Sequence, residues 1–283
     1  MRGFVLLPAL VLVSGYAAQA PAPALAPEPA ALVGTYRLTY QPDSTNPAKR
    51  TDIFYLLLGK TLSRFQSRGE QAGDSLLAVF AGVPFNSETG QLLSKQMDYL
   101  PHSRFHFSIY KTATAQRLYF YDRINLAHYR YEEPALTWVV APTTATVAGY
   151  ACQRATASYG GRQWEAWFSR AVPVSEGPYK FSGLPGLIVK VGDTRQHYVF
   201  ELASLQKPAT ERLITLPKRV PTDTDRTTFR QALAAYNLDP IGNMAAPGSG
   251  QTFVSSTDGA TQDEIQQRAR ERARKRNNPL ELR

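Results

Sequence analysis

The residues of this chain that can do chemistry are few and scattered. Cys152, the only cysteine, stands in the string Tyr150-Ala-Cys-Gln-Arg154. A thiol nucleophile needs a base or a cation that lowers its pKa, and no histidine is near it in sequence. In mid-strand it reads as a small buried side chain. His102 and His106 are four apart, so in an extended strand both fall on one side and can touch one ion. A metal site wants further ligands, and spacing sets none of Asp98, His128 or His197 beside the pair; no metal is expected. Glu165, Glu176 and Asp193 flank the most unusual string of the chain, and a carboxylate pair can run a hydrolysis if folding brings two of them within several ångströms. Acids beside Gly and Pro more often bond local backbone. Ser182 lacks the strand-to-helix setting of a nucleophile elbow, and there is no glycine loop of the phosphate-cradling kind. No complete catalytic set is legible and no cofactor is expected; a hydrolase built on Cys152 or a carboxylate is the alternative to a binding protein.

The elements that must position these residues are mostly strands. Alternation of aromatic and β-branched residues predicts strands over 35–41, 52–58, 104–110, 117–122, 128–133 and 136–141. A hairpin follows with arms at 149–158 and 162–170, turning at Gly160-Gly161, where positive φ is required. Two more strands are expected over 187–192 and from His197 to Ser204. Helices are predicted over 71–82, ending at Gly82 and Pro84, and over 224–240, with Phe229, Leu233 and Tyr236 on one face. The fold class is mainly β with minor α: a single curved antiparallel sheet, half-barrel-like, with one or two helices on its concave face. A β-sandwich is the alternative.

The chain begins Met1-Arg2-Gly3 and continues with an apolar run from Phe4 to Val13, then small residues. That layout is a signal peptide over 1–17, cleaved after Ala17 or after Ala20, and it predicts export. Residues 18–31 read as a Pro/Ala-rich tether, residues 32–245 as one β-rich domain, and residues 246–283 as a basic, partly helical C-terminal tail. The net charge is +9, and Arg268, Arg270, Arg272, Arg274, Lys275 and Arg276 against Glu271 carry over half of that surplus. In an exported protein such a segment reads as a solvated helix that packs on nothing or as one that meets an anionic surface or acidic partner rather than nucleic acid.

The string Gly177-Pro-Tyr-Lys-Phe-Ser-Gly-Leu-Pro-Gly-Leu-Ile-Val-Lys-Val191 joins the hairpin to the next strand. Leu184-Pro185-Gly186-Leu187 has the residue types of a type II turn, with proline fixing one φ and glycine accepting a positive one. Gly183, Pro185 and Gly186 are therefore structural. Together with "GYACQRA", "GRQWEAWF", "VPVSEGPYKFSGLPGLIVKV", Asp193 with "YVFEL", and the terminal "KRNNPLELR", this string resembles the GLPGLI family of exported Bacteroidota proteins, whose motif lies at 183–188. The resemblance implies export and association with envelope systems such as TonB-dependent receptors, and no established activity.

The chain holds 15 Tyr, 13 Phe and 3 Trp. Aromatics alternate on both faces of its strands, more than a one-sided sheet needs. A buried second face under the helices accounts for them, and so does an apolar groove for a lipid-like ligand, a peptide or an envelope protein. Trp164, Trp167, Tyr179, Phe181, Leu184 and Leu187 are the residues expected at its lip. The expected function is non-catalytic binding in the cell envelope.

Overall fold

A computed structural model describes residues 26–84, 86–112, 117–239 and 261–282. The expected signal peptide and most of the tether lie outside these residues. The strands are β1 Glu28–Pro29, β2 Leu32–Tyr40, β3 Arg50–Leu58, β4 Leu62–Ser67, β5 Ser108–Thr112, β6 Leu118–Ile124, β7 Ala127–Glu133, β8 Val139–Val147, β9 Tyr150–Tyr159, β10 Arg162–Ser169, β11 Leu187–Asp193, β12 Tyr198–Gln206, β13 Leu213–Ile214 and β14 Thr222–Asp223. The helices are α1 Arg68–Val79, α2 Ser87–Asp98, α3 Arg226–Leu238 and α4 Gln262–Arg274. Twelve strands form one open sheet in the order β14-β7-β6-β5-β4-β3-β2-β12-β11-β10-β9-β8. Every pair in it is antiparallel except the short β14–β7 contact.

The sheet is strongly curved. Tyr131 on β7 and Tyr159 on β9 are nine strand positions apart, which in a flat sheet is roughly 43 Å at ~4.8 Å per strand. Both hydroxyls instead lie 2.9 Å from the same Lys180 ammonium nitrogen. The concave face holds the main core, with Phe54, Phe65, Phe107, Phe120, Tyr179, Phe181 and Phe200 in ring-to-ring contact around it. Helix α3 adds Phe229 to this core, against Phe120 and Tyr131.

The second face is also covered, though not by the concave-side helices. Val33, Leu57, Leu62, Tyr110, Tyr119 and Ile214 form a smaller core there, closed by β1 and β13. The tether is therefore shorter than composition suggests. Glu28 accepts from the backbone N–H groups of Thr61 and Leu62 and from the Thr61 hydroxyl, and those bonds seat a Pro/Ala-rich string on the sheet.

One predicted strand is shortened and two elements, β4 and α2, stand where none was predicted, each for an identifiable reason. Strand β4, Leu-Ser-Arg-Phe-Gln-Ser, is buried at every position although most of it is polar. Arg64 donates to the Thr215 carbonyl, Ser63 to Glu176 and Ser67 to the Phe105 carbonyl, so distant partners make polar residues interior ones. Residues 104–107 are not strand, because the backbone N–H of Phe105 donates to the Ser103 hydroxyl and its carbonyl accepts from Ser67. Helix α2 starts on a capping box between Asn86 and Thr89, a signal that uses Thr in place of the usual acid or amide.

Candidate functional site

The chain between β10 and β11 crosses the hollow of the sheet and fills it. A short turn, with the Phe181 N–H donating to the Pro178 carbonyl at 3.1 Å, presents Tyr179, Lys180 and Phe181 to the interior. Tyr179 takes φ 53°, a conformation that a bulky side chain adopts only where its surroundings over-determine it. It is fixed by stacking on Phe200 and by its hydroxyl, which donates to Glu281. Lys111 on β5 anchors the same turn from below, donating to the carbonyls of Gly177 and Phe181 and pairing with Glu176 at 3.1 Å. Burial pushes the Lys111 ammonium pKa down and Glu176 opposes that shift.

Lys180 is the centre of a buried charge network. Its ammonium nitrogen is 2.7 Å from Glu281 and 3.0 Å from Glu133. It also sits over the rings of Phe120, Tyr131, Tyr159 and Tyr179 at 4.5 to 5.5 Å from their centroids, a cation–π cage. Arg226 and Arg230 of α3 reach Glu281 from the other side at 2.9 and 3.3 Å. Burial acts to raise the Glu281 pKa, but Lys180, Tyr179 and Arg226 outweigh it and bring it down to about 2. Burial, with Glu281 beside them, pushes the hydroxyls of Tyr131, Tyr159 and Tyr179 up. Tyr159 and Tyr179 thus stay protonated at neutral pH and donate to Glu281.

Glu281 belongs to the segment read from sequence as a tail. The chain after α4 does not trail away. Asn278, Leu280 and Glu281 are buried, held by Arg162, which donates to the Pro279 and Leu280 carbonyls and pairs with Asp193 at 3.0 Å. Tyr198 donates to the Asn278 carbonyl, and the Leu282 N–H to that of Gly160. A Cβ on Gly160 would stand 2.9 Å from the Glu281 side chain. The hairpin glycine thus makes room for the strap as well as for its own turn.

The residues singled out from sequence are redistributed by this geometry. Trp164, Tyr179, Phe181, Leu184 and Leu187 are core side chains, and Trp167 is half-buried with its indole N–H on Glu165. They do not form an open lip, because the motif occupies the groove it was expected to border. The motif turn also differs. The Gly186 N–H donates to the Leu184 carbonyl, a γ-type turn centred on Pro185, while the Leu187 N–H goes to Val172. The positive φ expected at Gly186 is present, at 152°, and Gly183 has φ 93°.

The candidate catalytic groups are each engaged structurally. Cys152 is buried and burial pushes its thiol pKa up, the opposite of activation. Glu165 pairs with Arg154 at 2.7 Å, Asp193 with Arg162, and Glu176 with Lys111. His106 contacts Glu70 at 2.8 Å, with Arg123 beside it. Lys180 escaped sequence reading because a lysine between two aromatics reads as the solvent-facing member of an alternating string. Glu281 escaped it inside a basic tail.

Among the described residues, an edge open to a partner lies beside this network, at the β8 end of the sheet. Among the described residues, strand β8 is the terminal strand of the sheet and is hydrogen-bonded to β9 alone. Its sequence, Val-Val-Ala-Pro-Thr-Thr-Ala-Thr-Val, has no charge, and its side chains are exposed along most of its length, Val139 by 68% and Val140 by 43%. Two open concavities of about 520 and 540 Å³ border it, one lined by Val139, Thr156 and Tyr159, the other by Thr144, Thr146 and Cys152.

Comparison with known proteins agrees with the motif. Residues 160–190, from the hairpin turn through the buried Lys180 segment into β11, match the model of a family described as a protein of unknown function, Porph_ging. No curated protein matches the chain. Among solved structures, PNGF-II in space group P21 is similar at 14% identity and a TM-score of 0.44, and PNGF-II in space group C2 at 13% and 0.46. Each match covers 71% of this chain and 32% of the other. The chain thus spans about a third of their length, and likeness of this degree carries no argument about activity.

Proposed function

We propose that this chain is an exported cell-envelope protein that binds a partner protein or an extended peptide without catalysis. The observation that carries the reading is β8, an uncharged edge strand nine residues long that, among the described residues, pairs along one side only. Natural sheets blunt such edges with charge, proline, bulges or cover, and a stretch of edge left regular is a template for strand addition. Pro142 and the register shift between Val140 and Thr144 interrupt the edge and leave the Thr144–Val147 half regular. Among the described residues the interior offers no comparable opening, since the chain's own motif and C-terminal strap fill it. That fact favours a protein or peptide over the lipid-like ligand that aromatic content alone suggests. Export is supported by the amino-terminal sequence, and association with TonB-dependent receptor systems by the family resemblance.

The test is affinity capture of the processed protein from crosslinked native envelope, with the mature amino terminus read by mass spectrometry. Thr144→Lys with Thr146→Lys places two charges on the edge at exposed positions. It is expected to reduce capture of a specific partner by at least about tenfold while changing stability by no more than about 0.5 kcal/mol. Equal capture by the variant removes β8 from the interface, and an unprocessed amino terminus removes export.

A further inference from the structure

Four arginines from three segments of this chain are brought together by its fold. Arg50 opens β3 directly opposite Tyr40 on β2. Arg104, from the connection before β5, lies over the Tyr40 ring with its guanidinium carbon 5.3 Å from the centroid. The strap after α4 brings Arg276 to the same spot. The Asn277 side-chain oxygen accepts from the Ser44 N–H and hydroxyl, both at 2.8 Å. Asn278 donates its backbone N–H to the Pro42 carbonyl and its amide to that of Gln41, the residues that follow Tyr40. Arg272 stands one helical turn before Arg276.

Among the described residues, no carboxylate lies within ion-pair distance of Arg50, Arg104, Arg272 or Arg276. The two nearby acids are otherwise engaged: Asp43 accepts from Thr45 and Asn277, and Asp52 from Ser103 and the Ile53 N–H. Partial burial and the neighbouring charges of Arg104, Arg272 and Arg50 hold the Arg276 guanidinium below its usual range. Cations in the last turn of a helix offset its dipole, which accounts for Arg272 and its neighbours on α4. It does not account for Arg50 and Arg104, which come from two other segments.

We infer that Arg50, Arg104, Arg272 and Arg276 form a binding site for a phosphate-type oxyanion, presented by an anionic lipid headgroup or as free phosphate. Guanidinium forks match phosphate oxygens in pairs, and a bound oxyanion supplies the counter-charge that this part of the protein does not. The inference is independent of the partner-binding reading, since it uses no residue of β8.

The test uses the full mature chain at physiological salt. One arm measures co-sedimentation with phosphatidylcholine vesicles with and without phosphatidylglycerol, and the other titrates inorganic phosphate and pyrophosphate calorimetrically. Three variants are compared: Arg50→Gln with Arg104→Gln, Arg272→Gln with Arg276→Gln, and Arg270→Gln with Arg274→Gln. The third removes the same charge from α4 outside the cluster. Each cluster pair is expected to weaken binding by at least about tenfold and the control pair by less than about threefold. Melting curves establish that the variants are folded. Binding to phosphatidylglycerol vesicles alone identifies a headgroup as the source, and binding of the small anions alone identifies free phosphate. Equal losses in all three variants, which mark a diffuse basic surface, or no binding of any probe, overturn the inference.

Discussion

Glu281→Gln is expected to cost about 3 kcal/mol of stability at neutral pH, a deficit that shrinks as the pH falls toward 2. The carboxylate is lowered from 4.5 to about 2 by Lys180, Tyr179 and Arg226, against the upward push of its own burial. A shift of that size corresponds to roughly 3 kcal/mol at about 1.4 kcal/mol per unit. Because the folded pKa is depressed, the contribution is fully present above the unfolded value. It is lost as the pH drops from about 4.5 through about 2. Glutamine keeps the shape and can accept from Tyr179 and Tyr159, but it leaves Glu133 as the one carboxylate paired with Lys180 and Arg226 and removes the carboxylate that Arg230 meets. An uncompensated buried charge is costly. Urea unfolding followed by tryptophan fluorescence at pH 7 and at pH 3 reads the difference. A deficit that does not change between the two conditions assigns the loss to packing and removes charge as its cause.

Gly186→Val is expected to be the most damaging single change in the motif, at about 3 kcal/mol or more, and Ser182→Ala nearly neutral. Two causes act at Gly186. Its φ of 152° is one that residues with a side chain rarely adopt, and a Cβ there would stand 2.2 Å from the Ser169 carbonyl oxygen and 2.6 Å from the carbonyl carbon. Those are backbone atoms of β10, which cannot turn aside as a flexible side chain can. Gly183→Ala separates the causes, because its φ of 93° is unfavourable while the nearest atom to a Cβ is 4.0 Å away. It is expected to cost about 1 kcal/mol. Ser182 contributes its carbonyl to Trp138, which alanine retains. Thermal melts of the three variants decide the matter, and equal midpoints for Gly186→Val and Gly183→Ala exclude the close approach to β10 as the reason for glycine.

Strands with alternating branched and aromatic residues were legible because half-buried strands carry their burial pattern in sequence. That holds for β2, β3, β6, β7 and the β9–β10 hairpin, and for α3 through Phe229, Leu233 and Tyr236 on one face. Strand β4 was not legible, since its Ser, Arg and Gln are interior only by virtue of Thr215, Glu176 and Phe105. The lip residues were recognised as important and misplaced: periodicity tells which side chains share a face, but not whether the chain itself will cover that face.

By itself, the sequence determined a mainly β architecture, the glycine and proline positions of the motif, the aromatic core and the basic character of α4, because each follows from local torsion, periodicity or charge. Only the tertiary structure decided that β7 and β9 curl to share Lys180, that the C-terminal strap closes the interior, and that Arg50 and Arg104 meet the arginines of α4. Those contacts join residues up to 237 positions apart, as in Gln41 and Asn278, and depend on sheet curvature summed over many strands. No local window of residues encodes that sum.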